Sequence, residues 1–141
     1  MNPQATLVGR LDAALDALPL VAILRGLRPA EAVEIGQALY GAGFRLIEVP
    51  LNSPEPLGSI TLLREALPGD AVIGAGTVLT AEAVAQVRDA GGELVVMPHA
   101  DTAVIRAAKA LNLACVPGIA TPTEAFAALA AETRTMVFFE S

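Results

Sequence analysis

Six short apolar runs recur along the chain at intervals of roughly 20 to 27 residues, and helical stretches fill the gaps between them. The runs are 20–24, 45–51, 71–76, 94–97, 114–116 and 135–139. They read as continuous apolar segments rather than as alternating ones, which is the pattern of strands buried on both faces in a parallel sheet covered by helices. The spacing predicts helices over 4–17, 30–41, 54–67, 80–90 and 101–112, with a last one running from Thr121 or Thr123 to about 131. In the first of these, Leu7, Leu11, Ala14 and Leu15 share a face. Pro19, Gly41, Pro68-Gly69, Gly91-Gly92 and Pro117-Gly118 punctuate the series where chain direction must change.

The 141 residues predict one domain with a sizeable core. The hydrophobic content of 54% comes from Ala, Leu and Val, yet no run reaches the ~18 uninterrupted apolar residues of a membrane span. The start shows no basic segment leading into a long apolar block, so no secretory signal is expected. Cys115 stands alone, which excludes an internal disulfide and fits a reducing cytoplasm; between Ala114 and Val116 it reads as packing. A net charge of -6 argues against nucleic acid as a partner. The expectation is a soluble cytoplasmic protein without membrane or nucleic-acid contacts.

Two architectures suit an alternating βα chain: a doubly wound open sheet and a (β/α)8 TIM barrel. The dinucleotide fingerprint of the first is incomplete, because Gly74-Ala75-Gly76 is followed by Thr77-Val78-Leu79 and the third glycine is missing. Polar residues gather instead where strands end: Arg25, Glu48, Asn52, Thr77 and His99. Convergence of such residues from several strand C-termini is how a barrel assembles an active site. The expected fold is therefore the TIM barrel, here with six of its eight βα strands. Glu48 is the most telling of the group, since a carboxylate inside a strand is costly unless it is paired, hydrogen-bonded or used.

The motifs Ile23-Leu24-Arg25-Gly26, Ile47-Glu48-Val49-Pro50-Leu51-Asn52-Ser53 and Gly74-Ala75-Gly76-Thr77-Val78-Leu79 are followed by Pro98 and by Val116-Pro117-Gly118-Ile119-Ala120-Thr121-Pro122-Thr123-Glu124. Together, over about residues 18–131, they resemble the 2-keto-3-deoxy-6-phosphogluconate / 4-hydroxy-2-oxoglutarate aldolase family. Pro50-Leu51-Asn52-Ser53 is similar to the family's 6-phosphogalactonate branch; the phosphogluconate branch tends to have Thr-Leu-Arg-Thr there. The resemblance implies class I aldol cleavage, in which a lysine forms a Schiff base with the 2-keto group and the C3–C4 bond breaks to pyruvate and glyceraldehyde 3-phosphate. The protonated imine is the electron sink, so no cofactor or metal is implied. The resemblance makes Glu48 the general acid/base, with a pKa that burial would raise toward neutrality. It gives Arg25 the substrate carboxylate, Thr77 a supporting hydroxyl, Asn52 and Ser53 the sugar hydroxyls or phosphate, and Pro98 a wall of the site. The implied partners are a phosphorylated 2-keto-3-deoxy acid or pyruvate and further copies of the chain, as a homotrimer.

The end of the chain departs from the family. Counted without gaps from Glu124, the Schiff-base lysine of Leu-Lys-(Leu/Phe)-Phe-Pro falls on Val137, within Met136-Val137-Phe138-Phe139-Glu140-Ser141. The family's small-Gly-small turn is replaced by Ala131-Glu132-Thr133, and residues 132–141 look unlike the family altogether. Lys109 is the sole lysine; it lies off the apolar face defined by Val104, Ala108 and Leu111, where a hydrated amine makes a poor nucleophile. Three readings stay open: a truncated or frame-shifted aldolase, inactive by itself; a non-catalytic relative keeping a ligand pocket or an assembly surface; and a metal-dependent aldolase using Glu48, His99 and Asp101. The last has a thin ligand set.

Overall fold

The computed structural model describes residues 6–138. Helix α1 (Leu7–Ala17) precedes four βα units and a fifth strand: β1 (Val21–Ile23), α2 (Pro29–Gly41), β2 (Leu46–Pro50), α3 (Pro56–Ala66), β3 (Val72–Gly76), α4 (Ala81–Asp89), β4 (Leu94–Val96), α5 (Thr102–Ala110) and β5 (Ala114–Val116). Then come β6 (Gly118–Ile119), α6 (Pro122–Ala130) and β7 (Val137–Phe138). Strands β1 to β5 form one parallel sheet in chain order, while β6 and β7 pair in parallel as a second, two-stranded sheet. This is the sequential parallel βα arrangement of the barrel family.

Local chemistry sets the helix starts. The side chains of Thr6, Thr80, Asp101 and Thr121 each accept an orphan backbone N–H of the first turn. Pro29, Pro56 and Pro122 occupy first-turn positions where a missing N–H costs nothing. Every residue of β2 and β3 is buried, as continuous apolar runs require.

Side-chain alternation sorts the strands into two faces. Ile47, Val49, Ile73, Ala75, Val95 and Met97 pack outward against Ile60, Leu63, Val84, Val87, Val104 and Ala108 of the covering helices. Burial of each large side chain there is worth roughly 1.5–3 kcal/mol. The opposite face carries Leu46, Val72, Leu94 and Val116, and α1 lies across it through Leu7, Leu11, Ala14 and Leu15. Arg10 of α1 pairs with Glu93 at the start of β4, and Arg64 of α3 holds the same carboxylate at 3.0 Å. Glu48 shares the inner face with Leu46, one step nearer the strand C-terminal end.

Three details differ from the pattern predicted by sequence. The first strand is shorter than 20–24, and Leu20 and Ile23 are more than half exposed, because β1 has β2 as its single neighbour among the described residues. After Pro117 the chain leaves the five-stranded sheet, and Gly118–Ile119 forms β6 of the two-stranded sheet, a strand too short and glycine-rich to show in the sequence. The sixth apolar run narrows to Val137–Phe138, exposed at both positions, and Val137 N donates to Pro117 O at 2.9 Å. Residues 4 and 5 of the first predicted helix, and Phe139 of the last run, lie outside the described residues.

Candidate active site

Glu48 sits in the middle of β2 with its side chain on the inner face and only 3% of its surface exposed. Its Oε2 is buried without a hydrogen-bond partner. Loss of water pushes the carboxyl up to about 7, with the positive charge of Arg25 partly opposing the rise. At neutral pH such a group is near half protonation, able to take a proton or give one.

The loops around it are tied together by backbone bonds at the strand ends. Leu24 N donates to Glu48 O at 2.9 Å, and Leu51 N to Gly76 O at 2.9 Å. Val78 N reaches Val96 O at 3.3 Å, and Met97 N reaches Val116 O at 3.1 Å. The C-terminal ends of β1 to β5 therefore stay in register as one rim. Arg25 leaves that rim exposed, just before Gly26, whose φ of +77° suits a glycine. The Gly26 N–H donates to Ser53 Oγ at 3.0 Å, so the turn after β1 is pinned to the turn after β2.

The rim thus gathers most of the residues singled out in the sequence. Ser53 is buried and its hydroxyl already serves the Gly26 N–H, whereas neighbouring Asn52 is exposed. Thr77, half-buried, follows β3 with φ of +56°, a left-handed conformation that a β-branched residue rarely adopts. Pro98 is half-buried, and its carbonyl lies so close to Gly118 that a side chain on β6 would collide with it.

The remaining candidates are His99, Asp101, Lys109 and Cys115. His99 is exposed, and the Asp101 carboxylate caps α5 by accepting from Ala103 N at 2.9 Å and Val104 N at 3.4 Å. Among the described residues, no three His, Cys, Asp or Glu side chains come together as a metal site. Lys109 is exposed on the last turn of α5 and forms an ion pair with Glu132. Cys115 contacts Met97 Sδ at 3.6 Å, and burial pushes its thiol up to about 12, in keeping with packing. A separate cavity of about 580 Å³, lined by Leu7, Leu11, Ile105, Leu113 and Cys115 among others, includes none of the rim residues. Among the described residues no helix is long and apolar enough to cross a membrane. Sequence reasoning passed over Gly76, on which the Glu48 carboxyl rests; the Gly74-Ala75-Gly76 alternation, which leaves one face of a strand bare, was its signal.

A helix-covered parallel sheet whose strands follow one another in chain order, with polar residues meeting at its C-terminal rim, is the arrangement of the (β/α)8 fold class. The profile of the family "Aldolase: KDPG and KHG aldolase" matches residues 11–141, and the chain belongs to that family. A probable 2-dehydro-3-deoxy-6-phosphogalactonate aldolase of Rhizobium meliloti is 49% identical over 121 residues, 86% of this chain and 57% of the relative. The 2-dehydro-3-deoxy-6-phosphogalactonate aldolase of Escherichia coli K12 is 44% identical over 88% of this chain and 60% of its own. A solved structure described as native KDPGal superposes with a TM-score of 0.84 at 44% identity, covering 88% of this chain and 61% of that one. The chain thus spans about three fifths of the length of these relatives.

Proposed function

We propose that this rim belongs to a class I aldolase for 2-dehydro-3-deoxy-6-phosphogalactonate, and that the 141-residue chain by itself does not turn substrate over. The observation that supports the first part most strongly is the buried Glu48 carboxyl, raised to about 7 beside Arg25. The second part rests on Val137, which stands where the family resemblance puts the amine.

In the complete reaction the amine of a lysine adds to the C2 ketone, and loss of water leaves a protonated imine. The Glu48 carboxylate takes the proton of the C4 hydroxyl as the C3–C4 bond breaks. The bond's electron pair moves into the imine to give an enamine, and C4 departs as the aldehyde of glyceraldehyde 3-phosphate. Protonation at C3 and hydrolysis then release pyruvate and regenerate the amine. Arg25 meets the substrate carboxylate with its planar fork and Thr77 adds a hydroxyl. Asn52 lies toward the sugar and phosphate end, Ser53 holds the turn that carries it, and Pro98 walls the rim. The aliphatic Val137 forms no imine, and Lys109 is spent on Glu132 on the outer helix layer. Without an electron sink at C2, deprotonating the C4 hydroxyl does not break the bond.

A second reading keeps the same rim, without the imine, as a ligand site for pyruvate or the phosphorylated keto acid in the cytoplasm. The exposed β1 edge, with Leu20 at 52% and Ile23 at 57%, supports self-association of the chain, with the trimer of the family as the expected form. The metal-dependent reading is disfavoured by Asp101, whose carboxylate is committed to the start of α5.

Borohydride trapping with pyruvate, read by intact-protein mass, tests the proposal. No pyruvyl adduct is expected on this chain, under conditions where a lysine-bearing relative is labelled fully. An adduct mapped to Lys109 or to the N-terminal amine would overturn the inactive half of the proposal.

A further inference from the structure

The inner face of β3 is bare, because both of its inward positions after Val72 are glycines. In the β2–β3 register Glu48 lies opposite Gly74, and Pro50 lies opposite Gly76. The Glu48 side chain therefore slants forward by one inward position and lays its carboxyl over Gly76. A Cβ built on Gly76 would overlap Glu48 Cδ and both carboxyl oxygens, with no other heavy atom among its three nearest. Gly76 has no positive φ that would call for glycine. The atoms that crowd the place of its missing side chain most closely are those of the Glu48 carboxyl.

Gly74 serves a different purpose. A Cβ there would overlap the backbone carbonyl of Leu94, so Gly74 is required by the approach of β4. One glycine spaces two strands, and the other spaces a strand from a carboxyl group.

We infer that Gly76 is a positioning residue, the seat that holds the Glu48 carboxyl against β3 and away from water. The inference deepens the reading of Glu48 as the group that moves protons, and rests on it for its bearing on catalysis. Seated there, the carboxyl has one oxygen buried without a partner. A methyl group at residue 76 would rotate the flexible Glu48 side chain off the strand, toward the exposed rim and Arg25. Rehydration and the nearer guanidinium both favour the carboxylate.

The test is a carboxyl titration followed by NMR on the full chain with 13C-labelled glutamate, the Glu48 signal being identified by its loss in Glu48→Gln. In the native sequence the midpoint should lie near 7, and in Gly76→Ala it should fall toward the ordinary 4.5 while the fold persists. Gly69→Ala, where a new Cβ meets nothing within 4 Å, should leave the midpoint unmoved. A folded Gly76→Ala whose midpoint stays near 7 overturns the inference. Should Gly76→Ala fail to fold, the double variant Glu48→Ala/Gly76→Ala decides: recovery of the fold supports a collision with the carboxyl, and continued failure overturns it. No turnover is needed, so a failure here is distinguishable from failure of the aldolase reading, which the borohydride experiment addresses separately.

Discussion

Glu48 holds its proton to about 7 because the sheet interior strips water from it, and the Arg25 charge recovers only part of that cost. The unfolded chain gives up the same proton near 4.5. The folded state therefore binds the extra proton between these two values, and the sign follows. The stabilising effect of a protonated Glu48 is complete below pH 4.5 and is lost as pH rises through 7. The difference amounts to about 3 kcal/mol, from ~1.4 kcal/mol per pH unit. Urea denaturation of the native sequence should lose about this much between the two limits, relative to Glu48→Gln, which carries no titrating proton. A parallel pH dependence for both proteins would show that the carboxyl is hydrated after all. Turn residue Glu132 illustrates the opposite kind of departure: its φ of +67° is glycine territory, at the place where the family resemblance expects a glycine.

The β3 strand shows how much was legible in sequence and how much was not. Its continuous apolar character placed it inside a parallel sheet, and the sheet is parallel with every β3 residue buried. The strand-end position of Arg25, Thr77 and Pro98 could likewise be read from the alternation of runs and breakers, whereas Glu48 lies at the middle of β2. Partnership could not. That Ser53 accepts the Gly26 N–H, or that Asp101 caps α5, depends on which loop comes to lie beside which donor. Nor could β6 be foreseen, since two residues after a proline carry no periodic signal and gain strand geometry only from pairing with β7. The two β3 glycines predict different outcomes. In Gly74→Ala the new methyl meets the Leu94 backbone, which cannot rotate aside, so β3 and β4 must separate at a cost of about 3 kcal/mol. Thermal or urea unfolding measures it, and a loss below that of Gly76→Ala would contradict the assignment of backbone spacing to Gly74.

At the scale of the whole molecule, α1 is joined to the sheet by an apolar stripe and one ionic clasp. Arg10 reaches the Glu93 carboxylate and Gly69 O, while Arg64 holds the same carboxylate from α3. Arg10→Ala leaves Glu93 paired with Arg64, so the cost should be about 1–2 kcal/mol and should fall on α1 rather than on the core. Amide exchange should quicken at Ala14 and Leu15 and stay unchanged at Ile47 and Ile73; equal acceleration throughout would show that α1 does not open separately. Seated, α1 also closes the lower side of the inner face, over Leu46, Val72, Leu94 and Val116. Glu48, one inward step beyond Leu46, thus faces the strand C-terminal side of the sheet that α1 leaves uncovered.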